Sequence, residues 1–224
     1  MSWKQLLLLM VAALACGTLA AQGKDDAEPE ADDEQDALEE LDDEISEFFT
    51  AYDSNRDGKV SISEVKKAVA VSMETTEDDP TVAVSIGTAL CLMVAADTDD
   101  DGLVSKPEYR ELRTKQLKNA TYKPPLTKAG VDVLRKEVYG PVYKLVMDTA
   151  DANGDGKLGR EEYQSAIGDT EAFDKADTDK DGVCSKAELE ADWVKALGDA
   201  FELPKDDAKA PEKKPEAEKP PVIE

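Results

Sequence analysis

The chain has 224 residues, no histidine, and 51 aspartate and glutamate residues against 27 lysine and arginine, a formal charge of −24. That charge repels phosphate, disfavouring nucleic acid as a partner and making cations the natural one. Without histidine the commonest general base and transition-metal ligand are gone, which excludes hydrolytic triads and zinc sites built on that residue.

Residues 1–20 read as a signal peptide. Lys4 gives a positive start, Leu6 to Ala15 an apolar run, and Thr18-Leu19-Ala20 a small-residue cleavage site. The run is too short to span a membrane, so no transmembrane span is expected in the mature protein. Two alternatives stay open: a buried N-terminal helix, and a bacterial lipoprotein signal in which Ala13-Leu14-Ala15-Cys16-Gly17 sets a lipidated Cys16 at the mature terminus. Residues 21–37 follow as an acidic segment. Thirteen acidic residues lie between Lys24 and Glu44, and the first half of that stretch is expected to be disordered.

From Leu38 to Leu203, helical periodicity is broken by four glycine-bearing acidic clusters that recur as an internal repeat. They are DSNRDGKVSISE from Asp53, DTDDDGLVSKPE from Asp97, DANGDGKLGREE from Asp151 and DTDKDGVCSKAE from Asp177. Calcium takes six to eight oxygen ligands, and a twelve-residue loop can supply them from positions 1, 3, 5, 7, 9 and 12, with glycine at 6 for the sharp turn. The first loop offers Asp53, Asn55, Asp57, the Lys59 carbonyl, Ser61 and Glu64 around Gly58. The second offers Asp97, Asp99, Asp101, the Leu103 carbonyl, Ser105 and Glu108 around Gly102. The third offers Asp151, Asn153, Asp155, the Lys157 carbonyl and Glu162 around Gly156, with Gly159 leaving position 9 to water. The fourth offers Asp177, Asp179, Asp181, the Val183 carbonyl, Ser185 and Glu188 around Gly182.

On these residues all four segments resemble EF-hand calcium-binding loops. The resemblance implies up to four Ca2+ ions, and an all-α fold of two EF-hand pairs with short β-bridges between paired loops. Hands one and two would pair over residues 38–118, and hands three and four over 127–203. Apolar residues stand four places before each loop (Phe49, Met93, Met147, Phe173) and just after its last glutamate (Val65, Tyr109, Tyr163, Leu189), as amphipathic flanking helices require. Val60, Val104, Leu158 and Cys184 occupy the position that forms the bridge in the family. Loops two and four carry four acidic ligands and loops one and three carry three, so binding is expected to be uneven. Fourteen ligand carboxylates repel one another without metal, so the calcium-free chain is expected to lose order.

The loops start 44, 54 and 26 residues apart, which puts the boundary between pairs in the central gap. Residues 119–126, with Pro124-Pro125, read as a linker carrying an Asn119-Ala120-Thr121 glycosylation sequon that matters only in a eukaryotic secretory route. Thr127 is expected to cap a further helix through Val138, broken by Gly140-Pro141. The helices between loops three and four must be short, turning near Gly168-Asp169. Residues 204–224 hold five of the eleven prolines among lysine and glutamate and read as a disordered tail. For Cys91 and Cys184, two buried thiols are favoured over a bridge, since each stands where an apolar residue would serve.

Layout is similar to that of the multi-EF-hand proteins of the secretory pathway, reticulocalbin and calumenin. The chain ends Pro-Pro-Val-Ile-Glu rather than in a retrieval signal, so export is expected over retention in the lumen. A calcium buffer or store, or a component of a calcium-rich extracellular or mineral matrix, is the expected role, and no enzyme is expected. A sensor that binds a partner protein on calcium loading is the alternative, disfavoured because only Met73, Met93 and Met147 follow the signal segment.

Overall fold

Each glycine-bearing acidic cluster ends one helix and opens the next, so the chain folds as four helix–loop–helix hands. The computed structural model describes residues 31–205 apart from 78, 79, 120, 168 and 169. The expected signal segment with Cys16, the first ten residues of the acidic stretch, the turn expected at Gly168-Asp169 and residues 206–224 lie outside the described residues. Hand one is α1 (Ala31–Tyr52), β1 (Lys59–Ser61) and α2 (Ile62–Ser72). Hand two is α3 (Pro80–Ala96), β2 (Leu103–Ser105) and α4 (Lys106–Lys118). After α5 (Lys128–Leu134) and a π turn (Arg135–Tyr139), hand three is α6 (Gly140–Ala150), β3 (Leu158–Gly159) and α7 (Arg160–Ile167). Hand four is α8 (Thr170–Ala176), β4 (Val183–Cys184) and α9 (Lys186–Ala200). No helix among the described residues is long and apolar enough to cross a membrane.

The strands pair the hands as the repeat implies. β1 lies antiparallel to β2 with Val60 opposite Val104, and β3 lies antiparallel to β4 with Leu158 opposite Cys184. These four side chains are at most 1% exposed, so each bridge is also the floor of a core. Residues flanking the loops close over it: Phe49, Met93 and Phe173 before the loops, and Val65, Tyr109, Tyr163 and Leu189 after them, are buried, while Met147 packs against the core partly buried. Tyr163 meets Phe173 edge-on at 5.4 Å, joining hands three and four. Between α1 and α4, Phe48 stacks on Tyr109 at 4.6 Å, and Arg113 reaches Glu44 through two bonds of 2.9 and 3.0 Å.

The pairs do not hang on a free tether. Helix α3 carries no charged residue and is apolar over most of its surface, from Val82 and Ala83 through Ile86, Leu90 and Met93 to Ala96, with Thr81 and Ser85 left exposed, and such a helix must be largely covered. α2 and α4 pack against one part of it, and α5, the π turn and α6 against another. Val131, Leu134 and Val138 are buried in that contact. Residues 119–126 are correspondingly fastened: the Leu126 N–H donates to the Glu202 carbonyl at 2.9 Å, the Glu202 N–H donates to the Pro124 carbonyl at 3.0 Å, and Leu126 is buried. Asn119 remains exposed, its side-chain oxygen accepting the Thr121 N–H and hydroxyl.

α1 begins at Ala31, within the stretch 21–37 that the composition marks as acidic and disordered. One expectation is corrected. Gly140-Pro141 does not break the helix that Thr127 caps. The Gly140 N–H donates to the Arg135 carbonyl five residues back, and this widened turn carries the helical path through the proline, which sits in the first turn of α6 where it needs no donor. Thr127 does cap α5, accepting the Gly130 N–H at 2.9 Å. Cys91 and Cys184 are both free and buried, and burial pushes each thiol up to about 12, so both stay protonated.

α5 lies close against α3 at Gly130, where an added Cβ would stand 2.5 Å from Val94 Cγ1. Valine is stiff about its first side-chain bond and cannot swing aside. Gly130→Ala should therefore destabilise the protein by about 1–3 kcal/mol, read as a lower urea midpoint.

Candidate metal centre

In every loop the backbone amides hold the acidic side chains before any ion is considered. The position-1 aspartate accepts those of positions 5 and 6: Asp53 from Asp57 and Gly58, Asp97 from Asp101 and Gly102, Asp151 from Asp155 and Gly156, Asp177 from Asp181 and Gly182, all at 2.9–3.2 Å, and Asp151 also accepts the Gly154 amide at 2.8 Å. The position-3 side chain, Asn55, Asp99, Asn153 or Asp179, accepts the position-5 amide at 2.7–3.2 Å. Position 5 in turn accepts the position-7 amide at 2.7–3.0 Å: Asp57 from Lys59, Asp101 from Leu103, Asp155 from Lys157 and Asp181 from Val183. Such a turn needs left-handed backbone at position 6, where glycine adopts φ of 77–89° at no steric cost. Position 4 is left-handed too, and in loops one, two and four it is filled by Arg56, Asp100 and Lys180.

Glutamate at position 12 closes each loop from the far side. In loops one, three and four one carboxylate oxygen of Glu64, Glu162 or Glu188 accepts amides of loop positions 2 and 3 at 2.8–3.3 Å. The other oxygen accepts the position-9 amide, from Ser61, Gly159 or Ser185, and Glu108 does the same with Ser105. Ser61, Ser105 and Ser185 are also helix N-caps, each accepting the amide of its glutamate in a capping box. Each hydroxyl thus also starts the exiting helix, and position 9 would serve calcium either through the serine oxygen or through water.

The donor set fits calcium. In loop two, oxygens of Asp97, Asp99 and Glu108 lie within 4.8 Å of one another, and in loop four so do those of Asp177, Asp179 and Glu188. Two oxygens on one calcium ion lie at most about 5 Å apart, twice the calcium–oxygen distance. Electrostatics are divided. Burial pushes the Asp97 carboxyl above its usual value; the Gly102 and Asp101 amides only partly offset this, and the Asp101 and Asp100 charges add to it. Burial also acts upward on Glu64 and Glu188, but the bonds from Ser61, Asn55 and Ser54, and from Ser185, Asp179 and Thr178, leave both below the usual range.

In loops two and four the acids singled out at positions 1, 3 and 12 are brought together, while the position-5 aspartates and the acids of loops one and three are held in place by loop amides without forming such a group among the described residues; Lys59, Leu103, Lys157 and Val183 stand at the mouths of the strands. Two features were missed. The Ser-x-x-Glu capping box was readable at 61–64, 105–108 and 185–188 and went unused. Side-chain ammonium groups of Lys59 and Lys157 reach carboxylates of the neighbouring loop, Asp101 at 2.6 Å and Asp181 at 3.5 Å, and no local pattern announces a contact 42 or 24 residues away.

A family model for the EF hand matches residues 45–70, 92–112, 144–167 and 170–191, one stretch for each hand described above. The chain belongs to the EF-hand family of calcium-binding proteins. It is similar to polcalcin Cup a 4 of Hesperocyparis arizonica, with 32% identity over 145 residues that cover 58% of this chain and 83% of that protein.

Proposed function

We propose that the protein is a non-catalytic calcium buffer or store of the secretory route or the extracellular space, holding one ion in each loop through the oxygens named above. The observation that carries the reading is the covering of α3. A sensor keeps an apolar groove to open toward a target on calcium loading, whereas here α5, the π turn and α6 already lie against the helix that enters hand two. Among the described residues the exposed large hydrophobic side chains are Val71, Met73 and Leu117, which stand on two helix ends and do not line a groove. The secretory placement rests on the charge pattern of residues 1–20, and matrix association on the −24 charge, which four calcium ions would reduce to −16.

Calcium-dependent binding of a hydrophobic dye separates the readings. A buffer should change dye fluorescence little between chelator and millimolar calcium. A several-fold rise on calcium loading would establish the sensor instead. Recovery from its source of a chain that still begins at Met1 would remove the secretory placement.

A further inference from the structure

The two lysines that cross between loops occupy the same place in both pairs. Lys59 is position 7 of loop one and Lys157 is position 7 of loop three. Their ammonium groups reach Oδ2 of Asp101 and of Asp181, the position-5 residues of loops two and four. In each aspartate the other oxygen, Oδ1, is already taken by the position-7 amide, from Leu103 at 2.7 Å and Val183 at 3.0 Å. Oδ2 is thus the oxygen left over for an ion, and it is the one the lysine holds. The arrangement runs one way. Loops two and four have Leu103 and Val183 at position 7, so they send no cation back to Asp57 or Asp155.

We propose that Lys59 and Lys157 set the calcium affinity of the neighbouring loop, acting as built-in cations that compete with the ion for Asp101 and Asp181. Counting ligand carboxylates alone makes loops two and four the tighter members of their pairs. The lysine cancels one of those charges, so it lowers the affinity of the more acidic loop and brings the two members of a pair closer together. Both partners are well exposed, with side-chain accessibilities of 40% and 34% for Lys59 and Asp101, and 45% and 44% for Lys157 and Asp181. The ammonium can therefore retreat into water when calcium arrives, so it acts as a competitor and not as a bolt. The contact is shorter at Lys59 than at Lys157, so its influence is greater in the first pair.

The test is a calcium titration of the full chain followed by NMR at single glycine amides. The Gly102 N–H donates to Asp97 and the Gly182 N–H to Asp177, so each reports when its own loop fills. Lys59→Gln keeps the position-7 backbone carbonyl and removes the charge; it should lower the Gly102 midpoint about 5-fold. Lys59→Arg, which keeps the charge, should stay within about 2-fold of the parent. Lys157→Gln should lower the Gly182 midpoint by a smaller factor, and it repeats the test in the other pair if the first variant folds poorly. The Lys59→Gln shift should shrink in about 0.5 M potassium chloride, where exposed charges are screened. A Gly102 midpoint that stays put or rises in Lys59→Gln overturns the proposal. So does an arginine variant that behaves like the glutamine one, or a shift that persists undiminished in salt.

Discussion

Stripping calcium should lower the melting temperature by roughly 20–40 °C. With free calcium at about 100 times the dissociation constant, each bound ion contributes about 2.7 kcal/mol. Four ions supply on the order of 10 kcal/mol, comparable with the whole stability of an ordinary domain. For a chain of this size each kcal/mol moves the midpoint by about 2–4 °C, which gives the range stated. The structural basis is the crowding of fourteen ligand carboxylates into four short loops, with Asp97 already pushed upward by burial and by the Asp101 and Asp100 charges. Scanning calorimetry in millimolar calcium and in excess chelator measures the difference. Superimposed melts would mean that the helices are organised without the ions, and the family's chemistry would then be idle in this chain.

Glu188→Gln should weaken calcium binding at loop four roughly 100-fold, about 3 kcal/mol. Glu188 is only 8% exposed, and its two oxygens are fully engaged. One accepts the amides of Thr178 and Asp179, and the other accepts the amide and hydroxyl of Ser185. Glutamine matches the size, but it loses the charge and turns an NH2 group toward donors that need an acceptor. The variant should therefore also lose about 1–3 kcal/mol of calcium-free stability, the penalty for leaving a buried donor unmatched. Isothermal titration should show one fewer site in the accessible range. Four unchanged sites would place the fourth ion somewhere other than loop four.

The loops were the legible part of the sequence because their chemistry is local. Asp151, Asn153, Asp155 and Glu162 lie within twelve residues, and amides of the same twelve residues hold them, so spacing alone conveys the arrangement. Pairing was legible one step further out, since Val60 and Val104, or Leu158 and Cys184, are apolar islands in polar loops that only a partner can bury. What could not be read depends on partners distant in the chain. The apolar surface of α3 marks it as covered but does not say by what, and the answer is α5 and α6, beyond a segment that looked like a tether. Leu126 is fastened by Glu202, 76 residues away. Pro141 looked like a stop, and it fails to be one only because the turn before it widens to a five-residue step.

The same α3 has a bearing on how the chain is made. A ribosome releases hands one and two first, and the outward side of this greasy rod then stays bare until residues up to about Ala150 have followed. A product that stops between Lys118 and Lys128 carries two complete loops but leaves that side of the rod wet, so it is expected to clump where the finished chain stays dispersed. The smallest stable parcel is then all four hands together, and gene fragments cut at the centre would be poor surrogates for the whole.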